Sequence, residues 1–181
     1  MHPSRLAART KNEELKSNCW MYAVVMTELC LCAGFYTRMI RCMPLDLDYH
    51  DCHCLCTVYL KEYNRWIVFD PANNAYYLNE NMIPMDIPML RKAVIESTPI
   101  YIPKTGREKT NYLIQYFTKT LFRFECEAEC GVGNEASLKN RTFFALNPKK
   151  FKLTDKTICI RGRNIQMIHL YSENIFWQPP F

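Results

Sequence analysis

Three residues with different side-chain chemistry, Cys19, His53 and Asp70, supply the parts of a cysteine nucleophile system. In such a system an imidazole takes the proton of the thiol, and a carboxylate orients the imidazole. Cys19 falls near the start of the buried part of a predicted helix, where the positive end of the helix dipole favours a thiolate over a thiol. The three residues are therefore candidates for a nucleophile, its base and the acid that orients the base.

His53 and Asp70 lie on two neighbouring predicted strands, 52–60 and 65–70. A tight turn at Lys61–Glu62 would place His53 directly opposite Asp70, whereas a four-residue loop would place them one diagonal apart. Both loops have an even number of residues, so both keep the two side chains on one face of the sheet and within reach of each other. An odd-length loop would put them on opposite faces, and the site would then be lost.

The cysteines around His53 raise metal binding as an alternative. In a strand, Cys52, Cys54 and Cys56 point to one face and His53 points to the other. Successive positions on one face are about 7 Å apart, and zinc–sulfur bonds of about 2.3 Å cannot span three such positions without a bend. We therefore predict no metal site and no other cofactor, and we interpret these three cysteines as small apolar core residues that stay inert.

The length and composition indicate one globular domain over residues 1–181. The chain is 49% hydrophobic and 23% charged, which excludes a wholly disordered chain. Ten cysteines in 181 residues are a smaller fraction of the chain than the roughly 8–10% that is typical of a disulfide scaffold.

The charge and the chain start indicate which partners and compartment to expect. The net charge of +5 is scattered, and no ribonucleoprotein or helix-turn-helix motif appears, so no nucleic-acid partner is expected. The sequence shows neither an apolar leader nor a stretch long enough to span a bilayer, which predicts a cytoplasmic protein with reduced thiols and no membrane partner.

The candidate residues need elements that position them. A buried helix is predicted from about Asn12 to Ala33, with Ser17 or Asn18 capping its buried part and Gly34 ending it. Two further helices are predicted at 86–96 and 110–120, and strands at 35–43, 52–60, 65–70, 121–128, 142–146, 157–161 and 165–171. One buried helix followed by mostly antiparallel strands indicates an α+β domain.

Three motifs in this order resemble the transglutaminase-like superfamily. The run Asn18-Cys19-Trp20-Met21-Tyr22-Ala23, followed by Gly34-Phe35-Tyr36-Thr37-Arg38, resembles its nucleophile segment. Asp51-Cys52-His53 resembles the start of its histidine strand, and Trp66-Ile67-Val68-Phe69-Asp70-Pro71 resembles its Trp-x-x-x-Asp-Pro strand. The resemblance covers about residues 15–95 and fits bacterial members, with residues 96–181 completing the sheet.

The resemblance implies a papain-like core in which a nucleophile-bearing helix packs on an antiparallel sheet. It makes Cys19 the nucleophile, His53 the general base and acid, and Asp70 the orienting carboxylate. The backbone N–H of Cys19 is the expected first oxyanion donor, and Asn18 and Trp20 are candidates near the site.

The implied reaction is amide acyl transfer or hydrolysis on a protein or peptide carrying a carboxamide or amide bond, through a thioester. The alternative is a catalytically inactive module of the same fold that binds other proteins. Arg38 is predicted to have a structural role at the entry to its strand.

Overall fold

The protein is described from a computed structural model, which describes residues 17–46, 51–133, 141–151, 153, 156–160 and 163–180. In this part of the chain the helices are α1 (Cys19–Cys32), α2 (Ile87–Glu96), α3 (Arg107–Thr120) and α4 (Glu173–Phe176). The strands are β1 (Thr37–Met43), β2 (His53–Leu60), β3 (Arg65–Asp70), β4 (Ala75–Tyr76), β5 (Arg123–Glu127), β6 (Arg141–Leu146), β7 (Lys156–Ile160) and β8 (Arg163–Leu170).

All of these strands join one sheet, in the order β4-β3-β2-β1-β5-β6-β8-β7. Neighbouring strands run antiparallel except β6 and β8, which are parallel. Helix α1 packs on β2 and β1 near the middle of the sheet. The predicted α+β fold, with the helix that carries Cys19 packed on a mostly antiparallel sheet, is therefore confirmed.

Helix α1 has a defined start and end. The side chain of Asn18 accepts a hydrogen bond from the Met21 N–H at 3.0 Å, so Asn18 is the N-cap. At the other end Gly34 has a φ of +86°, and the N–H groups of Phe35 and Gly34 donate to the carbonyls of Cys30 and Leu31. This Schellman arrangement satisfies carbonyls that the helix end leaves free. The predicted cap and stop are both confirmed.

The outer face of α1 differs from the prediction. Ala23, Val24 and Thr27 are buried against the sheet, but Tyr22 is 45% exposed and Leu29 is 63% exposed. The expectation of a largely buried helix is therefore wrong for the side that faces away from β2. Apolar residues occur on every side of this helix, so the hydrophobic pattern of the sequence does not indicate which side is exposed.

The hairpin between β2 and β3 sets the relation of His53 to Asp70. Leu60 pairs with Arg65, so the loop has the four residues Lys61–Asn64, with Asn64 in the left-handed region at a φ of 51°. This even-length loop is the second of the two predicted alternatives. By extension of the register, Asp70 lies one diagonal from His53, and both side chains are on the same face.

That face of the sheet carries the main core. Its side chains pack against α2 and α3 in one apolar cluster, which includes Ile40, Cys42, Leu55, Val68, Leu90, Leu113, Phe117 and Phe124. Fully burying one Leu or Phe contributes about 1.5–3 kcal/mol, so this cluster holds α2 and α3 against the strands that carry His53 and Asp70. The opposite face of β2 carries Cys54 and Cys56 and lies under α1.

The remaining differences lie at short elements and ends. Helix α3 begins at Arg107, three residues before the predicted start, with Gly106 as its N-cap. The two-residue strand β4 and the four-residue helix α4 were not predicted, because such short elements show no hydrophobic period. No helix among the described residues combines the length and apolar character needed to cross a membrane.

The helix stop gives a first prediction. Substituting Gly34→Ala should lower the free energy of unfolding by about 1–2 kcal/mol, because an L residue with a Cβ is disfavoured in the left-handed region and nothing else crowds this position. Urea denaturation of the two proteins measures the loss. The matched variant Gly34→Asn should lose less, since asparagine tolerates this conformation better. Equal stability of Gly34→Ala and the parent would contradict the Schellman stop.

Candidate active site

Cys19 is the first residue of α1, at the positive end of the helix. Its side chain is partly buried, and Sγ lies 3.6 Å from the carbonyl oxygen of Cys52, to which the thiol donates when it is protonated. Because Cys52 immediately precedes β2, this contact brings the thiol to the end of the strand where His53 lies. The helix therefore places the sulfur next to the first residue of β2 rather than next to the middle of that strand.

His53 and Asp70 are joined by a buried hydrogen bond. Nε2 of His53 lies 2.8 Å from Oδ2 of Asp70, and the two residues are 3% and 0% exposed. Since Nε2 is engaged by the carboxylate, Nδ1 is the ring nitrogen left for the thiol of Cys19. This is the relation of imidazole and carboxylate that the sequence predicted for these two residues.

Asp70 has further partners that the sequence analysis missed. The Tyr77 hydroxyl donates to Oδ2 at 2.8 Å, and the Asn73 amide donates to the same oxygen at 2.9 Å. The Asn73 backbone N–H donates to Oδ1 at 3.2 Å, which closes a turn after Pro71. Burial would raise the pKa of Asp70, but the bonds from His53, Asn73 and Tyr77 outweigh it and hold that pKa below its ordinary value. The carboxylate therefore stays charged inside the core.

Two aromatic residues of α3 form a wall beside the imidazole. The ring of Tyr116 meets His53 edge-on, with 5.3 Å between centroids, and the ring of Phe117 lies at 5.9 Å. The Tyr116 hydroxyl donates to the carboxylate of Asp51 at 3.1 Å. These contacts restrict the imidazole to one orientation. These contacts could not be predicted from the sequence, because α3 is far from His53 along the chain.

Cys19 and His53 shift each other's pKa values in the direction that favours their charged forms. The pKa of the Cys19 thiol is lowered to about 4, by a hydrogen bond with the Cys54 side chain and, against the effect of burial, by the hydrogen bond and charge of His53. Burial alone would lower the pKa of His53, but hydrogen bonds with Asp70 and Cys19 raise it to about 9. Between these two pKa values the favoured state is a thiolate beside an imidazolium.

The cysteines near the site divide into two kinds. Cys54 and Cys56 are buried, and their pKa values are raised by hydrogen bonds to neighbouring thiols and by burial, which confirms them as core residues. The same expectation is wrong for Cys52, which lies before β2, is partly exposed and has a lowered pKa. Among the described residues no group of histidines, cysteines and carboxylates is arranged to hold a metal ion.

The two candidates for oxyanion stabilisation lie beside Cys19. The side-chain oxygen of Asn18 is occupied as the N-cap of α1. Trp20 is the second residue of the helix and is 38% exposed. Both residues therefore border the thiol, and their roles remain predictions.

Part of the chain is similar to a known protein family. Residues 2–71 match the family model described as the transglutaminase-like superfamily. The matched range contains Cys19, His53 and Asp70. Searches of curated proteins and of solved structures give no match.

The lowered pKa of Cys19 leads to a second prediction. Iodoacetamide should alkylate Cys19 at nearly the same rate at pH 6 as at pH 8, because its pKa is about 4, whereas an ordinary thiol reacts far more slowly at the lower pH. Peptide mapping by mass spectrometry follows each cysteine separately. In His53→Gln the rate at pH 6 should fall at least tenfold, because the stabilising imidazolium is gone. A normal thiol profile for Cys19 in the parent protein would rule out the ion pair.

Proposed function

We propose that the protein catalyses cysteine-dependent amide acyl transfer or hydrolysis through a thioester intermediate. The observation that carries the proposal is the buried 2.8 Å hydrogen bond between His53 Nε2 and Asp70 Oδ2, because it leaves Nδ1 for a thiol at the start of α1. A buried histidine that meets both a buried carboxylate and a thiol with a lowered pKa is the kind of group that catalytic sites use as a base.

The first half of the proposed reaction forms the thioester. The Cys19 thiolate attacks the carbonyl carbon of an amide, and the carbonyl π electrons move to oxygen. The resulting tetrahedral intermediate collapses by breaking the C–N bond, while the imidazolium of His53 gives its proton to the leaving amine. Asp70 keeps the imidazole oriented and stabilises its positive charge before the transfer.

The second half releases the acyl group. Neutral His53 takes a proton from water or from an incoming amine as that nucleophile attacks the thioester, and the Cys19 thiolate leaves. Water gives hydrolysis, and an amine gives acyl transfer. The backbone N–H of Cys19 is the proposed first donor to the oxyanion, because it points out from the free N-terminal end of α1, and Asn18 or Trp20 supplies the second.

The proposed substrate is a protein or peptide that carries a carboxamide or amide bond. The proposed setting is the reducing cytoplasm. All nine cysteines whose surroundings the structure describes are free thiols, which suits a nucleophile that must stay reduced.

Labelling with an amide-mimic peptide that carries a chloroacetamide group tests the proposal. The parent protein should be labelled at Cys19, and Asp70→Asn should be labelled about 10²–10⁴-fold more slowly because its imidazole is misoriented. Cys32→Ala is the matched control, since it removes an exposed thiol at the other end of α1, and it should label like the parent.

The Cys19→Ala variant decides between the two functions. Loss of most of the total labelling in Cys19→Ala, together with turnover of the amide by the parent and not by the variant, supports the enzyme. Equal labelling of Cys19→Ala and the parent would contradict the site and favour the inactive binding module.

A further inference from the structure

Arg38 lies on the core face of β1 with its guanidinium sandwiched by aromatic rings. Its Cζ lies 4.1 Å from the ring centroid of Trp66, 5.2 Å from that of Trp177 and 5.3 Å from that of Phe176. Stacking of this kind covers the faces of the guanidinium and leaves its edges for hydrogen bonding. The predicted structural role at the strand entry explains why the guanidinium stacks on these rings. It does not explain which groups bind the N–H donors on the edges of the guanidinium.

One edge of this guanidinium has donors without an acceptor. Among the described residues, Nε and Nη2 of Arg38 are buried and have no oxygen or nitrogen acceptor, and neither has the nearby indole Nε1 of Trp177. The thiol of Cys126, a weak acceptor, lies beside the guanidinium. A buried donor left without a partner costs about 1–3 kcal/mol, so three in one place require an explanation. Nε and Nη2 form the side of the guanidinium that binds a planar carboxylate through two parallel hydrogen bonds.

A cavity of about 400 Å³ adjoins Arg38, which is large enough for a small organic molecule. Its walls are largely apolar: Leu31, Tyr36, Phe144, Leu170, Ile175, Phe176, Pro179 and Pro180. Glu127 also lines the cavity, but its carboxylate is paired with Arg141. One unpaired cation among apolar walls favours a ligand with a single negative charge and an apolar body.

We propose that this cavity, bounded by Arg38, Trp66 and residues 176–180, binds a monocarboxylate with an apolar body. The carboxylate accepts from Nε and Nη2 of Arg38, and Trp177 Nε1 is the third donor. Because these donors are closed to solvent, residues 178–180, which line the cavity beyond Trp177, must shift for the carboxylate to enter. Trp66 Nε1 donates to the Gln178 carbonyl at 2.9 Å, so this hydrogen bond must break when residues 178–180 shift.

The proposed site is separate from the candidate active site. Arg38 is the second residue of β1, whereas Cys42, four residues further along, pairs with His53. At roughly 3.3 Å per residue the two sites lie more than 10 Å apart along the strand. The proposal therefore does not rest on Cys19 or on catalysis, and Cys19→Ala should bind the ligand like the parent.

Two of the three tryptophans line this site, so tryptophan fluorescence reports binding directly. The probes are 4-phenylbutyrate and its neutral analogue 4-phenylbutanamide, titrated into the intact protein at constant ionic strength. A second pair, an acetylated tripeptide ending in phenylalanine with a free or an amidated carboxyl terminus, distinguishes a peptide terminus from a small acid as the source of the carboxylate. We expect saturable binding in the millimolar range or tighter for at least one acid, and at least tenfold weaker binding of its amide.

The variants test the geometry of the charge. Arg38→Lys keeps the positive charge but lacks the paired donors, so it should bind the acid at least tenfold more weakly, and Trp177→Phe should also weaken binding. The comparison of acid with amide in the parent protein stands even where Arg38→Lys fails to fold. Equal binding of acid and amide, or no response to either acid in the millimolar range, would overturn the proposal.

Discussion

The site depends on one buried hydrogen bond, between Nε2 of His53 and Oδ2 of Asp70. Placing a charged carboxylate in a core costs several kcal/mol unless other groups compensate. Here Asn73, in the turn that follows Asp70, and Tyr77, directly after β4, supply those groups. The carboxylate thus remains charged, and its charge is what keeps a buried imidazole protonated.

The rest of the fold brings a thiol to that imidazole. Helix α1 packs on β2, and its capped first turn places Cys19 at the end of the strand where His53 begins. The helix dipole and the imidazolium both favour a thiolate, and the buried thiol of Cys54 contributes a further hydrogen bond. The thiol and the imidazole come together because the first residue of α1 and the first residue of β2 lie next to each other.

The sequence was sufficient to predict that His53 and Asp70 meet on one face of the sheet and to predict the order of the main elements. Alternation along β2 separated His53 from Cys54, and the even length of the hairpin loop kept His53 and Asp70 on one face. Asn18 and Gly34 marked the ends of α1 because capping is local chemistry. Cys52 was misassigned because the strand begins one residue later than predicted.

Contacts from distant parts of the chain could not be predicted. The wall formed by Tyr116 and Phe117 depends on how α3 packs over the sheet, and no local pattern encodes that packing. The stacking of Trp177 on Arg38 likewise joins residues far apart in sequence. Only the turn at Asn73 carried a usable local sign, an aspartate followed by proline at a strand end.

The titration of His53 is the most direct test of the account. In protein with ¹⁵N-labelled histidine, NMR should show His53 titrating near pH 9, above the ordinary value of 6.5. In Asp70→Asn the pKa should fall by more than one unit, because burial is then opposed only by Cys19. A His53 pKa at or below 6.5 in the parent, or one that does not change in Asp70→Asn, would contradict the central role of this hydrogen bond.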